Sequence, residues 1–427
     1  MRRFLILAAI VVAAVEPASA LPVFARRYET ACTTCHAIIP KLNPFGIAFR
    51  NNGYRIPVNN EKFVKSVDIS LGAPAWKKLW PRAVWPGAIP GNAPIAIRVT
   101  SDVNIRPSQP VNVNFDFPSF LSLYFAGPAG DTVSFFGQTS IVGATNTIAL
   151  DRAYAQFRIS PEKAGANWLN FKVGRIDTRA EPFSSTYRRT TGQNYNTSSY
   201  RVLSDGFRFQ DHDVGAEVWG AVTGPDNRGG LEYAGGIVQG TAARPENNNF
   251  KDQYWNLSYK FRGLGVVGSR NGDQDNLATE EAYKERSLAL GTFGYRGKAP
   301  APATVANPPA VIENRFTRNG LKFDAYFDEL NLFGAVVSGK DHVQGPAPRT
   351  INSTAFFVQA DYMMLPWVMP VLRYERTRFS DGRTTVREFI PAVNLAIRAN
   401  VKVLIEARRY REKTGANEGI VRLDFLF

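Results

Sequence analysis

Cysteine is nearly absent from this chain: Cys32 and Cys35 are the only two in 427 residues. That scarcity excludes a disulfide-stapled scaffold, which needs several bridges. Histidine occurs three times, as His36, His212 and His342, and methionine four times. A structural zinc site built on the two thiols would need further Cys or His ligands close by. His212 and His342 are remote in sequence. A thioredoxin-like redox pair would need a βαβ context, and none is readable around the thiols. A disulfide across two intervening residues would be strained and would leave the adjacent His36 without a role. Long apolar runs are also missing. After the first twenty residues nothing approaches the length of a membrane-spanning helix, so the chain is either soluble or crosses a membrane with strands.

The two thiols form part of Cys32-Thr33-Thr34-Cys35-His36. C-x-x-C-H is the attachment pattern of a c-type haem. Two thiols at this spacing can each form a thioether to a haem vinyl group, and the following histidine is set beneath the iron as proximal ligand. The reading is therefore one covalent haem c, bound by Cys32, Cys35 and His36. Export fits it. Arg2 and Arg3, the apolar stretch Phe4–Val15 and Ala18-Ser19-Ala20 make a signal peptide over residues 1–20 with a small-x-small cleavage site.

Residues 21–65 read as the monohaem cytochrome segment. Pro44 suits the first turn of a helix capped by Asn43. Phe45 and Phe49 then share a face, and Gly53 after Asn52 marks the stop. So short a segment cannot bury a haem alone. Residues 66–92 are a Pro- and Trp-rich connector in which Trp76, Trp80 and Trp85 lie among Lys77, Lys78 and Arg82, a composition suited to a membrane–water interface.

From residue 93 to 427 the pattern becomes repeated short β-segments. Trp255, Leu257, Tyr259 and Phe261 alternate with Asn256, Ser258 and Lys260. Val421, Leu423, Phe425 and Phe427 alternate with Arg422 and Asp424. A soluble sandwich can alternate in this way, but the amount of strand and the terminal aromatic favour a transmembrane barrel, apolar outside and polar within. The expected fold is all-β, an outer-membrane barrel of about sixteen antiparallel strands behind a short, partly helical haem segment. An even count puts both barrel ends in the periplasm. Turns at Gly127–Asp131, Asp328, Met364–Trp367 and Asn400 are then periplasmic, and loops 176–212, 240–250, 296–312 and 339–350 are external. Residues 262–282 form an unusually long inner connection, in which Gly263–Gly268 could start an extra strand.

Phe24-Ala-Arg-Arg-Tyr28, the haem pentapeptide, Pro40-Lys-Leu-Asn-Pro-Phe-Gly46 and Asn52-Gly-Tyr54 together resemble the fused monohaem cytochrome–porin family of bacterial outer membranes. The specific motif lies within residues 24–54, and the barrel is matched by pattern alone. The resemblance implies Cys32 and Cys35 as thioether attachments and His36 as proximal ligand. It also implies electron transfer across the outer membrane, with ferrous iron oxidation in the best-known members.

The function expected is an electron conduit in the bacterial outer membrane. Its haem segment enters from the periplasmic side and links an extracellular donor or acceptor, such as Fe(II) or a mineral, to a periplasmic c-type cytochrome. As an enzyme it would be an Fe(II):cytochrome c oxidoreductase. The alternative is a porin for a small solute with a haem-bearing plug or sensor. The formal charge of +14 is assigned to anionic outer-membrane lipid, minerals or acidic redox partners rather than nucleic acid. For the distal iron position the topology favours the inner-rim methionines. Strand parity turns Met363 into the lumen with Phe357, Gln359 and Asp361, ahead of Met364 and Met369. His212 and His342 fall at the outer rim. Asp211-His212-Asp213 is a candidate entry site for Fe(II), although Arg179, Arg188, Arg189, Arg201 and Arg208 in the same loop would repel a cation.

Overall fold

The computed structural model describes residues 22–67, 69–70, 88–89, 94–142, 147–161, 163, 165–203, 206–242, 244–246, 248–269, 281–301, 312–344 and 348–427. The expected signal peptide and Trp76, Trp80 and Trp85 of the connector lie outside the described residues.

Sixteen antiparallel strands close into one barrel. In chain order they are β1 Ile95–Ile105, β2 Val113–Pro128, β3 Val133–Val142, β4 Thr147–Arg158, β5 Ala166–Ile176, β6 Asp213–Thr223, β7 Arg228–Val238 and β8 Asp252–Leu264. They continue as β9 Glu285–Ala301, β10 Ile312–Asp328, β11 Leu330–Val343, β12 Arg349–Tyr362, β13 Val368–Phe379, β14 Val386–Arg398, β15 Val401–Tyr410 and β16 Glu418–Leu426. Closure pairs β16 with β1, from Gly419 opposite Ile105 to Leu426 opposite Arg98.

The side-chain alternation is inside-out. On β8, Trp255, Leu257, Tyr259 and Phe261 point outward and stay exposed, while Tyr254, Asn256 and Ser258 are buried within. On β15 and β16, Ile405, Val421 and Leu423 face out, and Lys402, Glu406, Arg422 and Asp424 are buried inside. In water, so large a belt of exposed Leu, Ile, Phe and Trp would drive association. Lipid is the solvent that matches it.

Each expected strand has a counterpart, but the ends shift. β9 and β10 pair over their whole length, from Glu285 opposite Asp328 to Ala301 opposite Ile312, and β11 runs on to Val343. The loops expected at 296–312 and 339–350 are therefore shorter. The apolar-outward rule lapses above the lipid belt, where both faces meet polar surroundings. There, pairs such as Lys298 Nζ with Glu313 Oε2 at 2.7 Å continue the ladder without an apolar pattern. Residues Gly263–Gly268 add no barrel strand. Val266 and Val267 turn inward and are buried with Trp219, Ala221 and Ala234.

The lumen is filled from both ends. Near the end carrying the short turns lies the N-terminal segment: helix α1 Val23–Tyr28, a 3-10 turn Cys32–Thr34, a hairpin of His36–Ile38 with Lys41–Leu42, and helix α2 Pro44–Asn51. Phe45 and Phe49 share a face, as expected, and join Tyr28, Tyr54, Ile56 and Phe63 in one buried cluster. From the opposite end, the long loop 177–212 folds inward instead of outward. Its Gly192 N donates to Glu406 Oε2 at 2.6 Å, its Asn196 N to Glu375 Oε1 at 3.0 Å, and Arg188 pairs with Asp324 at 2.9 Å. The loop's polar groups find partners on the polar inner wall, and this holds it inside.

Candidate functional site

The Cys-x-x-Cys-His turn is laced by Asn43. Its Nδ2 donates to the carbonyls of Thr33 and Thr34 at 3.0 and 3.1 Å. Its Oδ1 accepts from Gly46 N at 2.8 Å, capping α2. Its backbone N donates to Cys35 O at 2.9 Å. One residue thus ties the motif to the helix that follows. Gly46 is required there, because a Cβ would stand 2.1 Å from the Cys35 carbonyl oxygen. Gly53, with φ +67°, turns the chain after α2 at little cost. Thr30 and Thr34 hydroxyls bond at 2.7 Å across the base of the turn.

His36 Nδ1 lies 3.2 Å from the Pro40 carbonyl oxygen. A carbonyl can only accept, so Nδ1 carries the proton and Nε2 is left with its lone pair, the state a metal ligand needs. Burial, the largest cause, pushes the ring down to about 4, and the positive Arg98 acts the same way against the Pro40 bond. The imidazole is neutral at ordinary pH. The thiols are both free. Burial pushes Cys35 up to about 12 and raises Cys32 as well. A cavity of 620 Å³ opens beside Cys32, with Ala25, Glu29, Ala31, Ala399 and Asn400 in its lining. Its size falls in the ~300–1,000 Å³ range of small-molecule and cofactor sites. Two unbonded thiols and a preset Nε2 are a donor set that suits a covalent haem; the cavity touches this set at Cys32.

The segment is anchored by buried polar contacts to widely separated strands. Lys41 Nζ donates to Asp361 Oδ2 on β12 at 2.7 Å and to Asn331 Oδ1 on β11 at 2.6 Å. Both partners of the ion pair are almost fully buried. Arg50 bonds Asp177 at 3.0 Å and lies over the Tyr187 ring at 4.3 Å. Asn51 Nδ2 donates to Glu232 Oε1 at 2.6 Å, and Asn51 O accepts from Asn167 at 2.8 Å. The Tyr54 and Tyr154 hydroxyls meet at 3.0 Å. Leu42 N donates to Tyr187 O of the inward loop at 2.9 Å, which joins the two fillings.

Met363 faces the lumen, as parity predicts, and is buried with Met369, Val371 and Ile38, with Ala37 packed alongside. Ala37 and Ile38 directly follow His36. Met364 is 52% exposed and points away from the lumen, which removes it as a ligand. His342 is exposed and lies 3.0 Å from Thr350 Oγ1. The proposed Fe(II) entry site is not assembled. Asp211 is taken by Arg208, and Asp213 accepts from Val214, Gly240 and Thr241 backbone N–H groups. Among the described residues no cluster of three or more His, Cys, Asp or Glu could hold a metal ion. The arginines dominate that end.

Sequence reasoning identified Asn43 as a cap only; its hold on the Cys-x-x-Cys-His turn follows from the fold. Replacing Asn43 with Ala is expected to cost about 1 kcal/mol for the cap and about 1–3 kcal/mol for the stranded carbonyls. Asn43→Asp keeps the cap and loses the two donors. Limited proteolysis checks this: Ala should release fragments within residues 22–65 first, and Asp should fall between Ala and wild type.

No protein-family profile matches the chain, and no curated protein matches it. Solved structures do. The loop L8 deletion mutant of OmpT, an outer membrane protein of Vibrio cholerae, aligns with TM-score 0.52 at 11% identity, over 78% of this chain and 98% of that one. Salmonella typhi OmpF, in complex with daunomycin, aligns with TM-score 0.51 at 10% identity, over 78% of this chain and 97% of that one. At such identity the likeness carries the fold, a porin-type outer-membrane barrel, and nothing of ligand or activity.

Proposed function

We propose that this chain is an electron-transfer protein of the bacterial outer membrane. It would carry one covalent haem c at the short-turn end of the barrel and link an extracellular donor, Fe(II) foremost, to a periplasmic c-type cytochrome. Short turns face the periplasm and long loops the exterior in barrels of this type, so the segment enters from the periplasmic side. The observation that carries the reading is the Cys-x-x-Cys-His turn, with His36 Nδ1 committed to Pro40 O, held inside a filled lumen. Haem c supplies one-electron exchange in such a site. Cys32 and Cys35 would hold it covalently, and His36 Nε2 would bind its iron. Met363, with Met369 behind it, would be the second protein ligand. The Phe24, Tyr28, Phe49 and Tyr54 cluster excludes water. The Lys41–Asp361 pair fixes the segment's depth. In the oxidoreductase direction Fe(II) would lose one electron and the periplasmic cytochrome would gain it.

A solute porin plugged by the same segment is the second reading. A polar cavity of 830 Å³ lined from β1–β5, β16 and the inward loop favours it, as does the porin-type fold. One assay separates the two. Purified protein in liposomes enclosing a redox acceptor should show a pyridine haemochrome spectrum and reduce the acceptor on adding external Fe(II), without admitting sugars. Sugar-driven swelling with no electron transfer would reject the conduit and leave the porin.

A further inference from the structure

The same 830 Å³ cavity has a charged lining whose ligand the porin reading leaves unassigned. Arg98, Arg175, Arg189, Arg208 and Arg422 line it, against Asp151 and Asp211; with Asp424 and Asp102 bonded to two of them, one positive charge is left in surplus. Three of the arginines are matched. Arg98 Nε donates to Asp424 at 2.7 Å, Arg422 to Asp102 at 2.6 and 2.9 Å, and Arg208 Nε to Asp211 at 3.0 Å. Asp151 accepts from Ser140 Oγ. Arg175 and Arg189 differ: among the described residues neither has a carboxylate partner. Arg189 is held only by Asn194 Oδ1 at 2.9 Å, and Arg175 Nε is buried without an acceptor. Burial, with Arg422 and Arg98 nearby, pulls Arg189 down to about 10. His212 in the same wall is pushed down to about 3, chiefly by burial and Arg152, so it is neutral and adds no charge of its own.

We propose that this cavity is a binding site for a small multivalent oxyanion, a polycarboxylate or a phosphate, gripped by Arg175 and Arg189. The guanidinium fork matches carboxylate and phosphate oxygens two at a time. A partly desolvated arginine with no carboxylate partner gains most from such a ligand. Ser185, Thr186, Gln193 and Gln210 supply neutral hydrogen-bonding groups around it. The volume falls within the ~300–1,000 Å³ of small-molecule sites. The same charge repels a bare divalent cation, so the site takes anions whatever the redox role of the segment below.

The test is titration calorimetry on the full-length protein in detergent, with citrate, inorganic phosphate and acetate as probes. Saturable binding of citrate or phosphate, well above acetate and weakening as salt rises, is expected, and the better probe names the class. Arg175→Gln with Arg189→Gln should weaken that binding roughly 10–100-fold. Lys at both positions should recover part of it by restoring charge without the fork. Heat-modifiable gel mobility shows that each variant retains the barrel. Binding no better than acetate, or binding unchanged in the double Gln variant, would overturn the site. Cys32→Ser with Cys35→Ser should bind the anion as wild type does, so failure of the haem reading and failure of this one are told apart.

Discussion

Serine at both Cys32 and Cys35 is expected to yield a folded barrel with no covalently attached haem. Thioether attachment needs cysteine thiols, and the chain has no others. Serine is close in size, and both cysteines are partly exposed and unbonded to one another. The turn around them is held by Asn43 and Gly46 rather than by the thiols. The effect on cofactor content should therefore be nearly complete, while the effect on the barrel should be small. Haem-dependent staining after denaturing electrophoresis measures the first, and heat-modifiable mobility the second. A stain that persists in the double variant, or that is missing from the mature wild type, would remove haem c as the cofactor.

Lys41→Ala should loosen the segment from the barrel wall. The substitution leaves Asp361 buried, still contacted by Thr190 Oγ1 and by Gln359 Nε2 at 2.6 Å, yet without its cation. Removing one partner of a buried ion pair costs about 3–5 kcal/mol. The other contacts, at Arg50, Asn51 and Tyr54, keep the segment present but mobile. Liposomes carrying the variant should swell in small sugars where wild type does not. Combining Lys41→Met with Asp361→Asn removes both charges and should restore most of the seal, since a well-packed neutral replacement of a buried pair is often tolerated. Unaltered permeability and thermal unfolding in Lys41→Ala would show that the pair does not latch the lumen.

Two features of the chain were legible because their cause is local. The Cys-x-x-Cys-His spacing, on which the proposed haem rests, is complete within five residues. The strand pattern is a period-two alternation set by the backbone itself, so it gave the sixteen strands, the short turns and the inward facing of Met363. The strand ends at Ala301 and Val343 were harder to read. Beyond the apolar belt no solvent difference enforces the alternation, and hydrogen bonds alone extend the ladder.

The contents of the lumen belong to the tertiary structure. Nothing in the sequence links Lys41 to Asp361, 320 positions apart, or brings Asn51 to Glu232, Asn167 and Val266. The loop 177–212 reads as an external loop by length and polarity, yet it turns inward because buried carboxylates such as Glu406 and Asp324 meet its backbone and arginines there. Asp211-His212-Asp213 reads as a cation site for the same reason. Only the fold shows Asp211 and Asp213 already engaged and the surrounding arginines converging on one cavity. A sequence records each residue's chemistry and its neighbours along the chain. Barrel closure decides which distant polar groups share a lumen, and polar pairing across a lumen leaves no period to read.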